Sequence, residues 1–273
     1  MSFVCFVVKK RIASSRQTPG PIVNRNRTSL IFRRPGGLAI CLVAFISVDL
    51  AAQSPPPGPH PTITVGDGPG WRRLDQDDFV RVNGDDQTLV WQSDVAIGNG
   101  KPIGVTRSAR PYKNFELLVQ WRHETPGGNS GVFAWVPMSA LEDLQPDNLP
   151  NAGIEIQMLD HDFTRQYESD NPGKFGDWFS TGGDVFPVGN STMTPFPPTS
   201  PNGQRSFPSV NLTRGHGRWN QYYVRAVSGT VRLWINGTEV SGGKDCSPAE
   251  GYLCLESEGA PITFRDIRIR ELP

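Results

Sequence analysis

Between Asn151 and Asp160 the chain reads NAGIEIQMLD, and a period of two divides it into unlike faces. Ile154, Ile156 and Met158 fall on one side, and Glu155, Gln157 and Leu159 on the other. A strand with one apolar face belongs over a core; its polar face meets either solvent or a polar ligand. Phe115–His123 alternates in the same way, with Phe115, Leu117, Val119 and Trp121 opposite Glu116, Gln120 and Arg122. Shorter runs predict strands at Thr88–Gln92, Asp94–Ile97, Pro102–Thr106 and Ser130–Val136. Toward the C-terminus, Trp219–Ala226 and Thr230–Ile235 form a hairpin around Ser228-Gly229, and Asn236-Gly237 turns tightly into Thr238–Val240. Tyr252–Ser257 and Ile262–Leu272 complete the set. In the last of these, Ile262 and Phe264 have one parity and Ile267 and Ile269 the other, so a bulge near Arg265-Asp266 is needed to bring both pairs to the core.

Two stretches break the alternation. Residues 137–150 form a proline-containing connection with one helical turn near Ala140–Leu144. Residues 161–212 are rich in Gly, Pro, Asn, Ser and Thr, and a loop of that length in a compact domain is usually functional. It reads as a lid or wall over a binding face, with Trp178, Phe179, Phe186 and Phe196 either holding it down or touching a ligand. No long helical periodicity follows Gly70. Many short antiparallel strands with little helix predict an all-β fold, a two-sheet antiparallel jelly-roll sandwich.

Composition alters this picture mainly at the N-terminus. Overall charge is zero, but residues 1–52 carry eight Lys/Arg against the single acid Asp49, leaving 19 basic and 26 acidic residues over 53–273. An acidic body offers no footprint for nucleic acid. Arg33-Arg34, the apolar run Gly37–Val48 and the small residues up to Ala52 have the layout of a secretory signal. That run is short for a membrane span, so a secreted or periplasmic protein is expected, with a retained N-terminal anchor as the alternative. Gln53–Pro69 is a Pro/Gly-rich linker, and the folded domain is expected over 70–273. Only Cys246 and Cys254 survive cleavage; they are either a disulfide or two free thiols.

Seven pieces in order then resemble a known family. They are Trp71, Asn114-Phe-Glu116 with Gln120-Trp-Arg122, Gly127-Gly-Asn-Ser-Gly131, Gly153-Ile-Glu-Ile-Gln157 with Asp160, Gly217-Arg-Trp-Asn220, Leu233-Trp-Ile-Asn-Gly237, and Leu255-Glu-Ser-Glu-Gly259 with Phe264-Arg265 and Ile269. This order resembles the 3-keto-disaccharide hydrolase domain family and covers roughly 70–273. The resemblance implies a concanavalin-like, laminin-G-like jelly roll with the site on one sheet. It implies cleavage of oligosaccharides or glycosides already oxidised to a ketone at C3, and so a partner oxidoreductase that makes the ketone. The ketone acidifies the C2 hydrogen, a carboxylate removes it, and the C1–O bond breaks by β-elimination before water adds back.

Carried over by residue, the resemblance implies Glu155 as base or metal ligand and Arg122 as the cation for an enolate oxygen; Glu256, where the chain departs from the family, is the candidate second acid. The resemblance also implies Gln157, Asn129 and Ser130 as sugar contacts; Glu258 is a further candidate contact or a turn residue, His161 is available as a general acid, and Trp178 is an aromatic that could stack on a sugar ring. Asp160 either ligates a divalent cation together with Glu155 or caps the following turn. The sequence departs from the family at Glu256 and Glu258, where many members show Gln and His. The competing expectation is a non-catalytic, lectin-like carbohydrate-binding module. A pocket in which acids converge favours the enzyme, and a flat aromatic platform favours the module.

Overall fold

The computed structural model describes residues 64–273. The signal reading over 1–52 lies outside the described residues, as does residue 53–63 of the expected linker. The strands run β1 (Trp71–Arg73), β2 (Phe79–Arg81), β3 (Leu89–Gln92), β4 (Val95–Gly98), β5 (Gly104–Ser108), β6 (Phe115–His123), β7 (Gly131–Val136) and β8 (Ile154–Gln157). A helix α1 (Phe163–Asp170) follows, then β9 (Val185–Pro187), β10 (Thr192–Pro195), β11 (Asn220–Val227), β12 (Thr230–Ile235), β13 (Thr238–Ser247), β14 (Tyr252–Ser257) and β15 (Ile262–Glu271). They form two antiparallel sheets, one ordered β10-β13-β12-β11-β6-β15-β4-β3 with β1 added on β15, the other ordered β2-β5-β14-β7-β8-β9. This is the jelly-roll sandwich expected from the alternation.

The alternating residues meet between the sheets. Phe115, Leu117, Val119 and Trp121 of β6 pack with Ile154 and Ile156 of β8 and with Val224, Leu233 and Phe264, all essentially buried. Each such side chain contributes about 1.5–3 kcal/mol of burial. Along β15 the register against β6 shifts between Arg265 and Arg268, and Asp266 adopts φ 48°. That bulge restores Ile267 and Ile269 to the core beside Ile262 and Phe264.

The structure refines three of these expectations. The lid is not helix-free: Phe163–Asp170 is an α-helix, too short and too polar to give a periodic signal. The folded body begins before Gly70, because Gln221 Nε2 donates to the Thr64 carbonyl at 3.1 Å and Arg268 donates to the Gly66 carbonyl at 3.0 Å. Cys246 and Cys254 are free and buried, in separate apolar clusters. Among the described residues, no helix is long and apolar enough to cross a membrane.

The six-stranded sheet carries a second apolar patch on its outer face. There Phe133, Val136 and Cys254 lie under Ala140, Leu141 and Ala152 from the connection between β7 and β8. The rest of that outer face is left for polar side chains.

Candidate active site

Pairing in the six-stranded sheet sets the site. Leu255 of β14 is opposite Val132 of β7, and Gly131 of β7 is opposite Gln157 of β8. Glu256 of β14, Gly131 of β7 and Glu155 and Gln157 of β8 therefore share the outer face. Gly131 is the gap between the acids. A Cβ there would lie 2.8 Å from Glu256 Oε2 and 3.2 Å from Glu155 Oε1. Its neighbours have different reasons to be small. Gly127 has φ +71°, and a Cβ on Gly128 would sit 2.3 Å from His123 Nδ1. The glycines thus bring the turn down onto His123 and hold Asn129 over the sheet.

The lid closes the space to a pocket of about 210 Å³. Glu155, Gln157, Glu258 and Asn129 form its polar side, and Trp178, Phe179 and Phe186 its apolar side. These aromatics make no flat platform: Trp178 and Phe179 meet edge to face at 86°, and Phe163 and Tyr167 pack on Phe179 at 73° and 84°. A wider groove of about 370 Å³ continues past Asn129 and Glu258 toward Gln166 and Pro261. A hollow of about 230 Å³ beside Phe79, Asn83 and Trp91 has Asp86 as its one lining carboxylate.

The cation of the pocket is Arg205, from the lid. Its guanidinium lies 3.5 Å from the Phe186 ring centre and 4.8 Å from that of Trp178. It donates to Gln157 Oε1 at 3.0 Å and pairs with buried Asp184 at 3.4 Å. Asp184 is itself held by the Ser180 backbone N–H at 3.0 Å and by the Ser180 hydroxyl. Nothing local in Asn202-Gly-Gln-Arg205 distinguishes this arginine; only folding of the lid brings it to β8.

Arg122 does not reach the pocket. The parity that buries Trp121 points Arg122 out of the nine-stranded sheet, with the whole core between it and Glu155. There it donates to Glu124 at 2.8 Å and lies 4.7 Å from the Trp219 ring centre. Ser130 is fully buried, and its hydroxyl donates to the Glu256 carbonyl at 2.8 Å, so it braces the turn. His161 is exposed and meets Thr213 Oγ1 at 3.0 Å, outside the pocket lining. Trp178 lines the pocket, half open to solvent.

Glu155 and Asp160 do not form an ion site. Asp160 accepts backbone N–H from Gly127 at 2.9 Å, Asp162 at 3.1 Å and His216 at 2.7 Å. Burial alone would raise its pKa, yet those donors hold it below the usual value. Asp160 is a turn cap, the second of its two expected roles. It also lies within reach of Asp162 and His216, but its oxygens are committed to the backbone and Asp162 pairs with Arg165.

All three glutamates are raised by burial, but in unlike surroundings. Burial first, then the charge of Glu258, pushes Glu155 up to about 8, against a smaller opposing pull from Arg205. Glu256 is 0 % exposed, neither of its oxygens meets a donor, and burial drives it well above the usual range. Burial raises Glu258 as well, and the contacts of its carboxyl with Asn129 and Glu256 offset only part of that rise. Unlike environments of this kind separate an acid from a base.

A model of the 3-keto-alpha-glucoside-1,2-lyase-like domain matches residues 64–270. No curated protein matches the sequence. Among solved structures, a candidate glycosyl hydrolase from Parabacteroides distasonis ATCC 8503 aligns with TM-score 0.55 and 20 % identity, covering 75 % of this chain and 95 % of its own. A second from the same organism aligns with TM-score 0.52 and 18 % identity, covering 74 % and 99 %. At such identities the likeness concerns the fold, whereas the family match spans nearly the whole described body. The chain belongs to the 3-keto-alpha-glucoside-1,2-lyase-like domain family, and is a carbohydrate-active protein.

Proposed function

We propose that this pocket cleaves 3-keto-glycosides by removing the C2 proton and eliminating the C1 substituent. The observation that carries the reading is the convergence of Glu155 and Glu258 on one lined pocket with the Arg205 guanidinium. Glu155, pushed up to about 8 with no donor on its carboxyl, is taken as the protonated partner, and Glu258, raised by burial but accepting from Asn129, as the ionised one. The base is therefore Glu258, and Glu155 is the acid, which exchanges the role that the family resemblance implied for Glu155. The reason is physical: Glu155 lacks donors and is desolvated, while Glu258 accepts from Asn129.

In this mechanism Glu258 takes the C2 proton, and the C–H electron pair moves toward the ketone as an enolate. Arg205 stabilises the enolate oxygen in the role first given to Arg122. The electrons then form the C1=C2 bond as C1–O breaks, and Glu155 gives its proton to the leaving oxygen. Water adds back across the double bond, its oxygen to C1, while Glu258 returns the proton to C2 and Glu155 recovers one from the water. The sum is hydrolysis, and no oxocarbenium ion is required.

Glu256 stands behind the pocket and touches no substrate here. Trp178 and Phe186 flank the ring. The reading includes an exported protein working after an oxidoreductase that forms the ketone. Convergence of acids on one pocket, without a flat aromatic face, favours it over a lectin-like module.

The test incubates the protein with 3-keto-glucosides and with the parent glycosides. Release from the keto form alone, reduced by about 10²–10⁴-fold in Glu258→Gln, is the expected result. Turnover of unoxidised glycosides would instead mean ordinary glycosidase chemistry, and tight binding without turnover would mean a binding module.

A further inference from the structure

Glu256 has no role in the steps above, yet its placement is costly. A carboxyl with no exposure and no donor on either oxygen would lose its hydration as an anion with nothing in return. It therefore has to be a donor itself. The hydrogen-bond chain beside it shows where its proton goes. A guanidinium only donates, so Arg205 fixes the Gln157 amide with Oε1 toward itself and Nε2 toward Asn129. Gln157 Nε2 then donates to Asn129 Oδ1 at 2.9 Å, which turns Asn129 Nδ2 toward Glu258. The chain ends in an acceptor. Glu258 Oε2 is thus the acceptor on that side, and the donorless burial of its neighbour Glu256 makes that carboxyl the group that carries a proton beside it.

Building on the acid–base reading above, we propose that Glu256 is a positioning residue that keeps a proton throughout the working range and donates it to Glu258. Shared between the two carboxyls, this proton makes Glu258, and not Glu155, the anion of the pocket. The charged groups facing the pair are few. Glu155 approaches from β8, and Arg205 and Asp184 come from the lid through Gln157. Val105 of β5 and Gly131 of β7 flank Glu256 without charge, while Arg107 of β5 lies over the Tyr252 ring at 4.7 Å.

Two measurements decide it. Infrared spectroscopy of the full chain, which needs no substrate, should show a carboxylic-acid C=O band that persists above pH 8 and is absent from Glu256→Gln. A wild-type protein without that band, or a band unchanged in Glu256→Gln, would overturn the proposal. The second measurement is the pH profile of kcat/KM on a 3-keto-glucoside. Glu256→Leu removes the donor and should move the acid limb up by about one pH unit, or about tenfold in rate on that side. Glu256→Gln, whose amide N–H replaces the donor, should return the limb to its wild-type position. A merely structural role would lower the rate in Glu256→Leu with the limb unmoved, and that result would also overturn the proposal. If no 3-keto-glycoside is cleaved at all, the functional reading fails while the infrared band still decides the proton.

Discussion

Glu155 and Glu258 face the same pocket, but one is largely buried and without donors while the other accepts from Asn129 and lies beside Glu256. If Glu155 acts as the protonated acid, kcat/KM should fall on the alkaline side with an apparent pKa of about 8. Glu155→Gln should abolish that limb. It should also cost far more with a sugar leaving group than with a nitrophenolate, which departs without a proton. Arg205→Gln removes the charge that faces the enolate and should lower kcat by about 10²–10³-fold. Arg122→Gln, on the opposite side of the molecule, should leave kcat/KM unchanged. Gly131→Ala is the steric test: its Cβ would press on Glu256 Oε2 and Glu155 Oε1, so activity should drop while the thermal midpoint moves little.

At the scale of elements, the lid is docked by its aromatics. Phe179 is 5 % exposed and packs edge to face with Phe163, Tyr167 and Trp178. Phe179→Ala should cost about 3–5 kcal/mol of local docking. Limited proteolysis should then cut within residues 161–182 sooner, and KM should rise more than kcat falls. A chain beginning at Gly70 loses the hydrogen bonds to the Thr64 and Gly66 carbonyls, worth about 1 kcal/mol each. Its melting temperature should be a few degrees below that of a chain beginning at Thr64. The strands of this body were legible because each has one dry face, and the bulge at Asp266 was legible because parity fails there. The helix at 163–170 was not, since it buries no residue completely and is held by the lid around it.

For the whole molecule, the buried acids link stability to pH. The folded-state pKa of Glu155 is raised from the usual 4.5 to about 8, so the folded form binds its proton more tightly than the unfolded chain does. Its contribution is fully present below pH 4.5, declines above that, and is gone beyond pH 8. Glu256 is raised in the same direction and adds to the trend. Thermal midpoints should therefore fall from pH 5 to 8, and the slope should be smaller in Glu155→Gln and in Glu256→Gln. A flat profile shared by all three proteins would contradict the buried, protonated state assigned to these carboxyls.

The amino-acid sequence determined the sandwich, most of its strands, and the polar face of 154–157, because alternation over a core is a local property that each strand carries alone. It placed Glu155, Gln157, Asn129 and Glu258 on strands and turns that do meet. It could not choose the cation, since Arg122 and Arg205 differ only in which outer face their elements reach. Nor could it set the ionic roles of the three glutamates. Those depend on burial and on the direction of a hydrogen-bond chain running from lid to sheet, and such a chain exists only once distant segments have been packed together.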